Sequence, residues 1–314
     1  MSLNDELFAA IEELDIAKVS DLINEGADPD ARDNNGSTAL HSASRSNNFE
    51  IVKFLIDKGA DPKATDKAGY TPLHIAARSS NLRLVKYFIV KGVGINVRNN
   101  DGYSPLHFAA RSSNMELIKY LIDNGANVSA KTNNGDTILH IAFNSPDHNF
   151  EVVKYLIEEG ANVKAQDNNG ITPLHLAVRS STLKVVKYLL EKGADPNARD
   201  SQGYTPLHFA VSFSNFEMVQ YLMDNGADVH VKSNYGDYIL HFAVYSCNLE
   251  MIKHLFENGA DINAKDSKNR TPLELAQIEY PQCTGMINFL KEKSTSYVED
   301  VSVSNETRNR TRSL

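Results

Sequence analysis

The strongest constraint on the fold of this chain is a tandem repetition with a period of 33 residues. The period is visible in the leucine of a Thr-Pro-Leu-His tetrapeptide or a close variant of it. The leucines are Leu40, Leu73, Leu106, Leu139, Leu174, Leu207, Leu240 and Leu273, and one interval of 35 residues marks a two-residue insertion. A second marker, a glycine that recurs from Gly26 to Gly259, has the same intervals. Because two unrelated markers share one register, the chain is predicted to be an array of similar units.

Residues 66–98 illustrate what each unit is predicted to form. Gly69 supplies the positive φ that a tight turn requires. Thr71 is the predicted N-cap of a first helix, with Pro72 at its first position. A second helix is predicted over Leu82–Val90, between an asparagine cap and a terminating glycine. Neither short helix can bury its apolar face alone, so neighbouring copies must stack to form a core.

These units resemble the ankyrin repeat, a turn followed by two antiparallel helices with a Thr-Pro-Leu-His-x-Ala signature. The resemblance implies an all-α solenoid of stacked helix-turn-helix units with projecting β-turn tips. It covers residues 3–293, which divide into an N-terminal cap (3–32), repeats (33–65, 66–98, 99–131, 132–166, 167–199, 200–232, 233–265) and a C-terminal cap (266–293). Residues 294–314 are rich in polar residues and are predicted to be a disordered tail.

Composition and charge argue against several functions. The chain has 32 basic and 40 acidic residues, a net charge of −8, which disfavours general binding to nucleic acid or membrane surfaces. No apolar run approaches the 18 residues or so of a membrane span. The acidic N-terminus lacks the basic region of a Sec-type signal peptide. The two cysteines, Cys247 and Cys283, imply no disulfide framework and favour a reducing compartment, so we expect a cytoplasmic protein.

The sequence carries no recognisable catalytic or cofactor motif. There is no P-loop, His-Glu-x-x-His, Gly-x-Ser-x-Gly or Cys-x-x-Cys pattern. The histidines of the repeated signature are His41, His74, His107, His140, His175, His208 and His241. The resemblance implies that each bonds to the backbone and joins neighbouring units. Copies one unit apart are too distant to share a zinc ion, whose bonds are about 2 Å long. We therefore predict no enzyme activity, no cofactor and no metal.

The resemblance implies that the protein binds another polypeptide in a concave groove, formed by the turn tips and the exposed face of the first helices. The first row of candidates comprises tyrosines at the tips, whose large rigid rings suit an interface. They are Tyr70, Tyr103, Tyr204 and Tyr235. The alternative is that these rings stack on neighbours across units.

The second row lies at the end of the first helix and comprises Arg45, Arg78, Arg111 and Arg179. Its alternative, compatible with binding, is a favourable interaction with the helix dipole and the terminal carbonyls. The third row precedes each turn and includes Arg98, Lys131, Arg199 and Lys232. Its alternative is pairing with turn acids such as Asp66 and Asp200.

The three rows together predict a basic, tyrosine-edged groove in an acidic molecule. Such a groove fits a partner with an acidic or phosphorylated segment, which arginine can bind through two parallel hydrogen bonds. The insertion at 144–149 is either a tolerated loop or a change of curvature at the binding face.

We expect a monomeric adaptor, scaffold or inhibitor. An effector that an intracellular microbe delivers into host cytoplasm is a variant of this role, because abundant Asn, Lys and Ile and the lack of Trp suit an AT-rich genome. One alternative is the substrate-receptor part of a partner-modifying enzyme, with catalytic groups in the tail. The other is a self-associating structural solenoid.

Overall fold

The computed structural model describes residues 2–145, 149–180 and 182–295. Its helices are α1 (Leu3–Glu12), α2 (Ile16–Asn24), α3 (Ala39–Arg45), α4 (Phe49–Asp57), α5 (Pro72–Arg78), α6 (Leu82–Val90), α7 (Pro105–Arg111), α8 (Met115–Asp123), α9 (Ile138–Phe143), α10 (Phe150–Glu158), α11 (Pro173–Arg179), α12 (Leu183–Glu191), α13 (Pro206–Ser212), α14 (Phe216–Asp224), α15 (Ile239–Tyr245), α16 (Leu249–Glu257) and α17 (Pro272–Glu279). Residues 284–295 form a further helix, α18. Residues 146–148 of the insertion and 296–314 of the predicted tail lie outside the described residues.

The chain divides into two compact units, Met1–Asn168 and Asn169–Leu314, which we call unit 1 and unit 2. In unit 1 the first helices α3, α5, α7 and α9 pack in sequence, and each also contacts its own second helix. In unit 2 the helices α11, α13, α15 and α17 also pack in sequence, and the first three contact their own second helices. The all-α class predicted from the repeat is confirmed by these paired helices, whose facing leucines and valines are buried.

The first helices begin at a capping box in which histidine takes the place of the usual glutamate. In α5, Nδ1 of His74 accepts a hydrogen bond from the Thr71 backbone N–H at 3.0 Å. The His74 backbone N–H points in turn at Thr71 Oγ1. In α17 a carboxylate replaces the imidazole, and Glu274 accepts a hydrogen bond from the Thr271 N–H at 2.8 Å. The cap explains why each first helix starts directly after its Thr, Ser or Tyr.

The second helices are amphipathic, and most of them are capped by a polar side chain. In α6, Asn81 Oδ1 accepts from the Leu84 N–H at 3.0 Å, and Leu84, Val85 and Phe88 face the core fully buried. The helix therefore has the bounds and the cap that the sequence predicts. On the outer side, lysines stack on tyrosines of the next repeat, with Lys86 Nζ 5.2 Å from the ring centroid of Tyr120.

Consecutive turns are joined by backbone hydrogen bonds in a ladder. In unit 1, the Asn100 N–H donates to the Ala68 carbonyl at 3.0 Å, and in unit 2 the Asn234 N–H donates to the Gln202 carbonyl at 2.9 Å. Gly69 has a φ of +78°, and a Cβ there would lie 2.7 Å from the Asn100 nitrogen. Glycine is thus needed both for the turn and for the close approach of the next one.

The two cysteines require a correction to the expectation of reduced thiols. Cys247 lies between α15 and α16, Cys283 lies just before α18, and a disulfide joins them. Their Cα atoms are 6.2 Å apart, within the usual range of about 4.4–6.8 Å. This pairing could not be predicted from the sequence, because the two cysteines are 36 positions apart.

Within the described part of the chain, no helix combines the length and the apolar character needed to cross a bilayer.

Candidate partner-binding site

Four of the signature histidines, His41, His74, His175 and His241, are bonded inside the fold on both ring nitrogens. Nδ1 of His41 accepts from the Thr38 backbone N–H at 3.1 Å, so the ring proton belongs on Nε2. Nε2 then donates to the Tyr70 carbonyl in the next turn at 2.8 Å. His74, His175 and His241 make the same bond to the carbonyls of Tyr103, Tyr204 and Arg270.

Burial lowers the pKa of His74, His107 and His208 to about 4, so these rings are neutral at pH 7. The bond between neighbouring repeats that the resemblance implied is seen at the four histidines named above. Nε2 of His208 has no such partner in the described structure. Among the residues described, no three His, Cys, Asp or Glu side chains cluster closely enough to hold a metal ion.

The tip tyrosines differ in how far they reach into solvent. In unit 1, the ring of Tyr70 lies 5.7 Å from that of Phe108, and the ring of Tyr103 lies 5.6 Å from the same phenylalanine. In unit 2, Tyr204 packs at 5.1 Å from Phe242. The stacking alternative thus describes these three partly buried tyrosines, whereas Tyr235 is 56% exposed.

The arginines of the second row are exposed at the last position of their helices. They are Arg45, Arg78 and Arg111 in unit 1 and Arg179 in unit 2. Within the described residues none of the four forms an ion pair or a hydrogen bond through its guanidinium group. The Arg78 guanidinium carbon lies 6.0 Å from the ring centroid of Tyr70, so the tip row and the arginine row share one face.

The third row has a role that the sequence did not predict. Arg98 donates from Nε to the Gly102 carbonyl of its own turn at 3.1 Å and from Nη2 to the Lys131 carbonyl of the next turn at 2.7 Å. In unit 2, Arg199 Nη2 donates to the Lys232 carbonyl at 2.8 Å. Row-three arginines therefore link successive turns, although their side chains are still partly open to solvent.

The lysines of the third row lie where the chain makes an isolated β-bridge. Lys131 pairs with Thr137 and Lys232 pairs with Tyr238. In the described residues these bridges occur in repeats whose first helix begins with a residue other than proline. Proline at that position would have no N–H to donate to a bridge. Lys131 Nζ also donates to the Gln166 carbonyl at 3.1 Å, and Lys232 Nζ lies 5.4 Å from the ring centroid of Tyr238.

The turn acids Asp66 and Asp200 have a role within their own turns. Oδ1 of Asp66 accepts from the Ala68 and Tyr70 backbone N–H groups at 2.9 Å. Asp200 does the same in its own turn. Each of these carboxylates therefore uses Oδ1 to stabilise its own turn.

Unit 2 also contains a surface pocket of about 460 Å³ that sequence reasoning missed. Its wall is mainly apolar and includes Ile171, Tyr204, Phe209, Phe213 and Phe242, with Arg179 beside them. Two departures from the repeat pattern could have drawn attention to it. Ile171 stands where three other tips have Tyr70, Tyr103 and Tyr204, and Phe213 stands where other repeats have serine.

Family models of the ankyrin repeat match most of the chain. One, described as ankyrin repeats (3 copies), matches residues 7–91, 79–167 and 147–233. Another, described as ankyrin repeats (many copies), matches residues 212–256 and 240–276. A comparison with curated proteins gives no match. The chain therefore belongs to the ankyrin repeat family, whose repeats are general protein–protein interaction modules and are typically not enzymes.

Proposed function

We propose that this protein binds a partner polypeptide, through the face formed by its tips and first helices, and that the bound segment is acidic or phosphorylated. The observation that carries the proposal is the row of exposed arginines Arg45, Arg78 and Arg111 in unit 1, with Arg179 at the same position in unit 2. In an acidic chain, cations that are exposed and form no internal ion pair are available to an anionic partner.

The tip tyrosines extend this face. Tyr70 and Tyr103 are partly exposed beside the arginine row, and Tyr235 is the most exposed of the four candidates. We assign Arg98, Lys131, Arg199 and Lys232 a supporting part, because the arginines among them already bond to turn carbonyls. Their remaining positive charge still favours an anionic segment along the tips.

The proposal covers adaptor, scaffold and inhibitor roles, including that of a microbial effector in host cytoplasm, because all of them need only non-covalent capture. We propose no catalytic activity and a monomeric state, which sedimentation at several concentrations would test. The cytoplasmic location stays a proposal. The Cys247–Cys283 disulfide argues against it, because disulfides persist in oxidising surroundings. Rapid alkylation of thiols in intact cells, followed by mass analysis, would show whether the two cysteines are reduced or joined in a disulfide.

The test of binding is a charge reversal in unit 1. The double variant Arg78→Glu, Arg111→Glu is expected to weaken partner capture about tenfold or more, which corresponds to about 1.4 kcal/mol. The matched control, Lys53→Glu with Lys63→Glu, makes the same change of charge at exposed positions off this face. Both variants should keep the parent helical content and melting temperature.

Affinity capture with the parent, the double variant and the control side by side measures the effect. Equal capture by all three proteins would refute the basic groove. Loss of capture by both variants would mean that net charge matters and the face does not.

A further inference from the structure

The pocket in unit 2 has a structural cause that a comparison with unit 1 makes plain. Phe209 of unit 2 corresponds to Phe108 of unit 1, 101 residues earlier in the repeat pattern. Ile171 corresponds to Tyr70 in the same way. In unit 1 the Tyr70 ring packs on Phe108, which is only 5% exposed. In unit 2 the corresponding residue, Ile171, has no ring, and Phe209 is partly exposed. The pocket is the space that a tip tyrosine fills in unit 1.

The remaining walls of the pocket contact one another through aromatic rings. The ring of Phe242 lies 4.7 Å from that of His208 and 5.1 Å from that of Tyr204. His208 is buried, its pKa is lowered to about 4, and its Nε2 has no hydrogen-bond partner in the described structure. The wall is therefore uncharged and built from flat faces, which suits an apolar or aromatic side chain.

The charges at the rim identify what should flank that side chain. Arg179 is the one cation among the described lining residues, and it forms no ion pair there. The lining acid, Asp200, accepts through Oδ1 from the Gln202 and Tyr204 N–H groups of its own turn at 2.9 and 2.8 Å. An anion next to the apolar group would pair with Arg179.

Exposed aromatic surface continues past the pocket, as expected for a polypeptide partner. Phe213 is 53% exposed, and Tyr235 and Tyr245 are 56% and 40% exposed. Tyr235 lies 6.2 Å from Tyr204, and Tyr245 lies 6.0 Å from Phe242, both measured between ring centroids. A surface of this extent can contact several consecutive residues of a bound segment.

We propose that the unit 2 pocket receives an aromatic or large aliphatic anchor side chain of the partner polypeptide, flanked by an acidic residue that pairs with Arg179. This proposal rests on the proposed function and adds to it. Unit 2 then supplies both a cation and an apolar site, and the apolar site fixes the register of the segment bound there.

The absence of tryptophan from the chain gives a direct test. The probe is a capped peptide, Glu-Glu-Trp-Glu-Glu, whose tryptophan emission is free of protein background. With the full-length parent protein we expect a saturable blue shift as the indole enters the pocket. A peptide with alanine in place of tryptophan should not compete, and Lys-Lys-Trp-Lys-Lys should bind at least fivefold more weakly.

Two reciprocal substitutions connect the signal to the pocket. Ile171→Tyr restores the ring that fills the space in unit 1 and should abolish the blue shift while leaving the protein folded. Tyr70→Ile empties the corresponding space beside Phe108 and Arg78, so it should add a second binding site per chain. Arg179→Gln should weaken the peptide at least threefold.

The outcomes separate this proposal from the basic groove. The pocket proposal fails if the parent gives no blue shift, if Ile171→Tyr binds like the parent, or if acetyl-tryptophanamide binds as tightly as the peptide. The basic groove is judged separately, by partner capture with the Arg78→Glu, Arg111→Glu variant. If that variant captures the partner like the parent and Ile171→Tyr abolishes peptide binding, the pocket proposal holds and the basic groove is refuted.

Discussion

Nε2 of His41 donates a hydrogen bond to the carbonyl oxygen of Tyr70, 29 residues later, across the boundary between two repeats. The same ring accepts at Nδ1 from the Thr38 N–H. One neutral imidazole thus starts a helix in its own repeat and holds the turn of the next. Stability in such an array depends on these interfaces between neighbours, since each repeat is too small to fold alone.

Removal of this bridge is expected to destabilise unit 1. His41→Ala leaves the Thr38 N–H and the Tyr70 carbonyl without their partner and opens a cavity, at a cost of about 2–4 kcal/mol. The urea midpoint of the helical signal would measure the loss. His230→Ala, at an exposed histidine outside the signature, should change stability by less than about 0.5 kcal/mol. Similar losses in the two variants would contradict the bridging role.

Stability is expected to fall on acidification between about pH 6.5 and pH 4. His74, His107 and His208 have a pKa of about 4 when folded, below the ordinary value near 6.5 of an unfolded chain. The unfolded state therefore binds more protons in this window, and each histidine contributes a slope of about 1.4 kcal/mol per pH unit. Urea midpoints taken every half pH unit would show the trend, and His208→Gln should flatten it. A midpoint independent of pH from 7 to 4.5 would rule out buried neutral histidines.

Arg98 and Arg78 are predicted to differ in what they do. Arg98→Ala removes the donors that link two turns and should lower the free energy of unfolding by about 1–2 kcal/mol. Arg78→Ala removes an exposed side chain that forms no ion pair or hydrogen bond in the described structure and lies 6.0 Å from the Tyr70 ring centroid, so it should cost less than about 0.5 kcal/mol. Partner capture should respond in the opposite order. The distinction would be lost if the two variants had the same stability.

The disulfide is predicted to stabilise the C-terminal end of unit 2. It closes a loop of 36 positions, for which chain entropy gives about 4 kcal/mol. Reduction with dithiothreitol should lower the melting temperature of the parent and leave that of Cys283→Ser unchanged. Hydrogen exchange should place the loss of protection in α15–α18. An identical melting curve before and after reduction would show that the bond adds no stability.

The helix positions were largely predictable from the sequence because their causes are local. Thr71, Pro72 and Asn81 act within three residues of themselves, as caps or as the first residue of a helix, and the structure places α5 and α6 accordingly. Asn269 replaces the turn glycine and takes a φ of +61°, which asparagine accepts more readily than most residues. The exposure of Arg78 and of the equivalent arginines in the other repeats also follows from their position at the end of a short helix.

Other features of the candidate site could not be predicted, because they depend on neighbours in space. The open pocket beside Ile171 is one example, because its other walls come from Phe209 and Phe242 of later repeats. Arg98 looked like an interface residue until its bond to the Lys131 carbonyl was seen.

The sequence by itself determined the repeat, the order of the helices, the caps and the all-α class, because these follow from the spacing of residues within one unit. Tertiary structure alone decided which cations were left exposed, which aromatic rings were buried and that Cys247 pairs with Cys283. The physical reason is that hydrogen bonds and packing between repeats join residues some 30 positions apart. Those contacts between distant residues decide whether a side chain is bonded within the protein or exposed to a partner.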